Sequence, residues 1–129
     1  MKRLVCSMPD LQVVVPKGLA QQLVFRVYSG ATPIAYAQLN RGSAKIRMGF
    51  VPATDTPSVS YCLKNIEVLQ NFRGQGIGSA LLDEVIEYCQ SHQVAMIYGE
   101  AKGDVLALKR WYRGRGFDIS EMDTIRLSL

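Results

Sequence analysis

Cysteine, histidine and tryptophan are scarce in this chain of 129 residues, and each shortage removes a class of chemistry. The three cysteines, Cys6, Cys62 and Cys89, lie far apart and form no CxxC pair. An odd, dispersed set argues against a disulfide framework and against a zinc site, and no metal is expected. Cys62 and Cys89 fall within apolar patterns, where a reduced thiol serves as a small buried hydrophobe. The single histidine, His92, stands at the end of a helical pattern. A hydrogen-bonding or cationic side chain suits that position on dipole grounds alone, so it implies no chemistry.

Long apolar runs are also missing. After Met1, Lys2 and Arg3, only Leu4, Val5 and Cys6 precede Ser7, Pro9 and Asp10. An export signal needs roughly 7–15 apolar residues and a membrane span needs about 20, so a cytoplasmic protein with no membrane contact is expected. With no repeat, linker or low-complexity tract, residues 1–129 read as a single domain of ordinary size. The net charge of +4 is mild. Neither an aromatic pair of the RNA-platform type nor a recognition helix accompanies it, so nucleic acid is not an expected partner. A small phosphorylated ligand suits the excess equally well.

What is present is a succession of short alternating segments. Residues 11–15, 23–28, 34–39 and 45–51 read as a meander of antiparallel strands, separated by glycine- and proline-bearing turns. Residues 52–57 close the meander. Residues 59–69 form the next extended stretch, with apolar positions at Tyr61, Leu63, Ile66 and Val68. Residues 76–92 carry the clearest helical stripe, built on Ile77, Leu81, Val85 and Cys89. Residues 94–98 are nearly all apolar, as for a strand buried on both faces. Asp104 is placed to cap a second helix reaching about Arg113, and Gly116 ends it. A short strand at 117–119 and another at 124–129 complete an α/β sandwich with a mixed, largely antiparallel sheet.

The chemistry concentrates where residues 68–78 join a strand to a helix, with glycines at 74, 76 and 78. Helix N-termini carry unpaired N–H groups and partial positive charge, and glycines let those groups close on an anion without β-carbon clashes. A Walker A loop needs Lys followed by Ser or Thr after its last glycine, where Ser79 and Ala80 stand instead. A dinucleotide-binding turn needs glycine or alanine three residues past its second glycine, and that position is Ser79.

The run Val68-Leu69-Gln70-Asn71-Phe72-Arg73-Gly74-Gln75-Gly76-Ile77-Gly78 resembles the signature of the GNAT superfamily of N-acetyltransferases, whose R/Q-x-x-G-x-G/A core is met by Arg73, Gly76 and Gly78. Trp111-Tyr112-Arg113-Gly114-Arg115-Gly116-Phe117 is similar to that family's aromatic-Tyr-x-x-x-Gly-Phe motif, at the family's separation from the first. The resemblance implies a GNAT-like fold and transfer of an acetyl group from acetyl-CoA to an amine-bearing acceptor by direct attack. It further implies that Arg73, Gly74, Gln75, Gly76, Ile77, Gly78 and Ser79 hold the pyrophosphate. The backbone of Ile66 and Val68 would pair with the pantetheine arm. Tyr112 would protonate the departing thiolate, and a phenol with a pKa near 10 stays protonated at neutral pH. Glu67 is the candidate base, with Glu100 or water as alternatives.

Two departures from the family pattern stand out. Val105 occupies the place of a common cofactor-contacting asparagine, and Leu108 that of a common alanine. Only residues 16–22 separate the first two strands, where the family usually places one or two helices, so at most one short helical turn is expected there. The acceptor side should then be open or completed by a second copy of the chain in a homodimer. A non-catalytic CoA-binding or interaction module on the same fold is the alternative reading.

Overall fold

The computed structural model describes residues 2–4, 6, 9–42, 59–100, 105–120 and 123–129. The strands are β1 (Lys2–Leu4), β2 (Leu11–Val14), β3 (Gln22–Ser29), β4 (Thr32–Arg41), β5 (Ser60–Val68), β6 (Met96–Glu100), β7 (Asp118–Ile119) and β8 (Thr124–Ser128). The helices are α1 (Ile77–Ser91) and α2 (Val105–Gly114), and a single 3-10 turn at Gln70–Phe72 follows β5. The segment 45–51, the loop 52–57 and the capping position Asp104 lie outside the described residues.

Among the described residues all eight strands join one sheet in the order β1-β2-β3-β4-β5-β6-β8-β7. Every neighbouring pair is antiparallel except β5 and β6. That parallel pair needs a crossover, which α1 provides. Strand β1 was not anticipated, because three residues carry too short an alternation. Pairing with β2 and a 2.9 Å bridge from Lys2 Nζ to Glu84 of α1 hold it in place.

One face of the sheet is the core. Phe25, Val27, Ala37, Leu39, Tyr61 and Ile97 point to it, against Ile77, Leu81, Leu82, Val85 and Cys89 of α1. Helix α2 lies beside α1 on the same face, joined by a 2.7 Å hydrogen bond from Trp111 Nε1 to Ser79 Oγ and by the pair Arg115–Asp83. Among the described residues no helix covers the opposite face. Strand β6 starts and ends two residues later than expected, and it alternates between buried Ile97 and Gly99 and half-buried Met96 and Tyr98. Its second face is therefore not a core face, contrary to the expectation from its apolar run. Cys62 shares that outer face and is half-buried, whereas Cys89 is fully buried.

Residues 16–21 contain no helical turn. Tyr88 Oη donates to the Gly18 carbonyl at 2.5 Å, Tyr61 Oη to Ala20 at 2.6 Å, and the Arg41 amide to Gln21 at 2.7 Å. These bonds press the β2–β3 connection against the core. No described helix is long and apolar enough to cross a membrane, and no described cluster of three His, Cys, Asp or Glu is placed to hold a metal.

Candidate active site

Strand β5 pairs with β6 only from Ser60 to Leu63. Its pairing with β4 continues to Val68, with a register shift that leaves Lys64 opposite no partner. An extra residue of this kind bends a strand and raises its twist. The upper half of β5 thus leaves β6, and the sheet splays. Gly99 permits the close contact below the splay, since a β-carbon there would sit 2.9 Å from the Leu63 carbonyl oxygen.

The splay frees backbone groups. The Leu69 amide donates to Ile34 of β4 at 2.8 Å. Successive residues of a strand turn their polar groups to opposite sides, so those of Val68 and Ile66 point away from β4, towards the gap. The Val68 carbonyl accepts one bond there, from Arg73 Nε at 3.0 Å. This bond folds the Arg73 side chain back over the turn. Among the described residues no carboxylate pairs with its guanidinium.

Beyond Arg73 the chain makes its glycine turn. Gly74 and Gly76 have φ of 81° and 78°, a left-handed conformation that side-chain-bearing residues resist. Helix α1 opens with the bond from the Ala80 amide to the Gly76 carbonyl. The amides of Ile77, Gly78 and Ser79 therefore precede the first intrahelical donor, at the positive end of the helix dipole. They border an open cleft of about 250 Å³ lined by Val68, Phe72, Arg73, Gly74, Gly76, Ile77, Gly78, Ser79 and Trp111. Pockets that enclose a small molecule usually measure roughly 300–1,000 Å³, so this cleft is smaller than a full ligand pocket.

The structure thus gathers Val68, Arg73, Gly74, Gly76, Ile77, Gly78 and Ser79 around one cleft. Gln75 is exposed on the turn and Ile66 is half-buried on β5, and neither lines it. Phe72 and Trp111 line it without having been singled out. Trp111 had a signal, its place one residue before Tyr112 on a strongly amphipathic helix.

The two proposed proton-handling groups fall on opposite faces of the sheet. Glu67 is exposed on the outer face, paired in register with Tyr36, whose hydroxyl donates to Glu67 Oε2 at 3.2 Å. Glu100, at the end of β6, is exposed. Tyr112 is 5% exposed in the helical layer, with the rings of Trp111 and Phe117 centred 4.9 and 5.3 Å away. It does not line the cleft. Burial pushes its phenol above the ordinary value, so it remains protonated. Among the described residues its hydroxyl has no hydrogen-bond partner. Of the basic residues on α2, Lys109 is engaged with Asp123 at 2.6 Å, while Arg110 and Arg113 are exposed. His92 stacks on Tyr88 with ring centroids 4.1 Å apart and bonds the Tyr88 carbonyl through Nδ1.

A mixed sheet that splays beside a helix N-terminus fronted by a glycine turn defines an α/β protein with an open cleft at that turn. Residues 19–117 match the acetyltransferase (GNAT) family, and the chain belongs to that family. The fold is similar to a GNAT family acetyltransferase from Elizabethkingia anophelis with acetyl-CoA bound (TM-score 0.70, 13% identity, 95% of this chain and 100% of that one). It is also similar to Arabidopsis thaliana NAA60 in complex with a bisubstrate analogue (TM-score 0.69, 14% identity, 83% and 74%). Arabidopsis thaliana Naa50 in complex with the bisubstrate analogue CoA-Ac-MVNAL gives a TM-score of 0.63 at 18% identity, over 82% and 72% of the two chains. At these identities the likeness concerns the fold. No curated protein sequence matches this one.

Proposed function

We propose that the protein transfers an acetyl group from acetyl-CoA to a primary amine, with both bound at once. The observation that carries this reading is the glycine turn of Gly74 and Gly76 opening the first-turn amides of α1 onto the cleft, in a chain of the acetyltransferase family. The first-turn amides and Arg73 suit a pyrophosphate. The unpaired upper edge of β5 at Ile66 and Val68 suits the amide-bearing pantetheine arm, which would bond it as a further strand does.

An ammonium group cannot attack a thioester, so its proton must leave first. Glu67 takes that proton and passes it to solvent, the amine nitrogen bonds the acyl carbon, and the nitrogen gives its surplus proton to the freed carboxylate as the carbon–sulfur bond breaks. Tyr112 supplies a proton to the sulfur. Glu67 and Tyr112 lie on opposite sides of the sheet, which supports a division of labour between them. Among the described residues no helix covers the outer face, which favours a bulky or extended amine.

One observation favours the non-catalytic alternative, a CoA-binding module: Tyr112 is packed between aromatic rings and away from the cleft lining. Calorimetric titration with acetyl-CoA, CoA and ATP, followed by an amine-acceptor screen with the Tyr112→Phe variant, separates the two. Micromolar binding of both CoA species but not of ATP, with turnover that Tyr112→Phe slows by roughly ten-fold or more, as for a lost general acid, supports the enzyme. Binding without turnover on any amine supports the module. No binding at all removes both.

A further inference from the structure

We propose that Tyr36 is a positioning residue for the acceptor-side base, holding Glu67 by one carboxylate oxygen and leaving the other to the incoming amine. The inference rests on the reading of Glu67 as base. Tyr36 and Glu67 are direct cross-strand partners, and the phenol donates to Oε2 at 3.2 Å. The unpaired Lys64 sets this phase, because it keeps Ile66 and Val68 on the helical face with Leu63 and turns Glu67 outward. Among the described residues no cation forms an ion pair with Glu67, so the phenol is its polar anchor.

A free glutamate on a strand samples several rotamers, and only some aim a lone pair at a given point. A donor on the neighbouring strand selects among them. The donor itself is secure. Burial and, after it, the Glu67 charge push the Tyr36 phenol up, so it keeps its proton wherever the enzyme works. Other ionisable groups on this face or its edge are Arg26 of β3, in register with Tyr36; Lys64 of β5; Tyr98 and Glu100 of β6; and Arg126 of β8. None of these is bonded to Glu67.

The test is a cycle of Tyr36→Phe, Glu67→Gln and the double variant, with kcat, KM for the amine and binding of acetyl-CoA measured in each. Tyr36→Phe should act on turnover alone. It should lower kcat several-fold while acetyl-CoA affinity stays the same. In the Glu67→Gln background the same change should have no further effect. Tyr36→Phe leaving kcat unaltered, while Glu67→Gln loses rate, overturns the positioning role and spares the base. An equal slowing by Tyr36→Phe in both backgrounds overturns it as well, since the phenol then acts elsewhere. Full activity of Glu67→Gln removes the base assignment, and the positioning role with it.

Discussion

The three glycines of the turn look equivalent in the sequence, yet they answer to different constraints. Gly74 and Gly76 have open space where a β-carbon would stand, and it is their positive φ that excludes other residues. Gly78 has no such φ. A β-carbon on it would sit 3.7 Å from a Val68 methyl and 3.9 Å from the Trp111 ring, which is ordinary contact. Gly76→Ala should therefore destabilise the fold by about 1–2 kcal/mol. Gly78→Ala, in the first turn of a helix, should stabilise it by roughly 0.5–1 kcal/mol. Denaturant midpoints moving in opposite directions would bear this out, and a parallel fall would mean that the α1 terminus is packed more tightly than these contacts show. The glycine pattern was legible because backbone conformation leaves a mark on residue choice. The seclusion of Tyr112 was not, since an aromatic side chain reads the same whether its ring is core or its hydroxyl is exposed.

At the scale of elements, periodicity did most of the work. The stripe of Ile77, Leu81, Val85 and Cys89 became the buried face of α1, and the period-two runs became β3, β4 and β8. The splay was half legible. Apolar positions in β5 run 61, 63, 66, 68, and the step of three marks the extra residue at Lys64. Which strand lies beside β5, and for how many residues, depends on long-range pairing that no local pattern encodes. The β2–β3 loop shows the same limit. Its brevity was visible, but its attachment through Tyr61 and Tyr88, some 41 and 70 residues away in sequence, was not. That attachment has a measurable consequence. Tyr61→Phe deletes a buried 2.6 Å bond and leaves the Ala20 carbonyl without that partner, so it should cost about 1–2 kcal/mol. A thermal melt lowered by several degrees is the expected result. An unchanged melting temperature would show that water replaces the phenol and that the loop is held by its other bonds.

For the molecule as a whole, the distribution of ionisable groups sets how stability varies with pH. Among the described residues no charged side chain is fully buried, so the buried titratable groups are neutral acids. Burial raises the phenols of Tyr61, Tyr88 and Tyr112, and it pushes the Cys89 thiol from 9.0 up to about 12. Below pH 9 both folded and unfolded chains keep the Cys89 proton, and the thiol has no influence on the pH dependence. Above pH 9 the unfolded chain releases that proton while the folded chain retains it until about pH 12. Stability is therefore lost as pH rises through this window, with a slope approaching about 1.4 kcal/mol per pH unit for this one group. The tyrosines add to the same decline only above their own ordinary value of 10.0. The interval from pH 8.5 to 10 thus isolates the thiol. Cys89→Ala should be less stable at neutral pH, because it empties part of the α1 seam, but its unfolding free energy should fall less steeply across that interval. Denaturant titrations of the two proteins at pH 7, 8.5 and 10 would reveal converging stabilities. Parallel curves would mean that the folded protein lets Cys89 ionise as freely as the unfolded chain does, and that the seam between α1 and the sheet admits water.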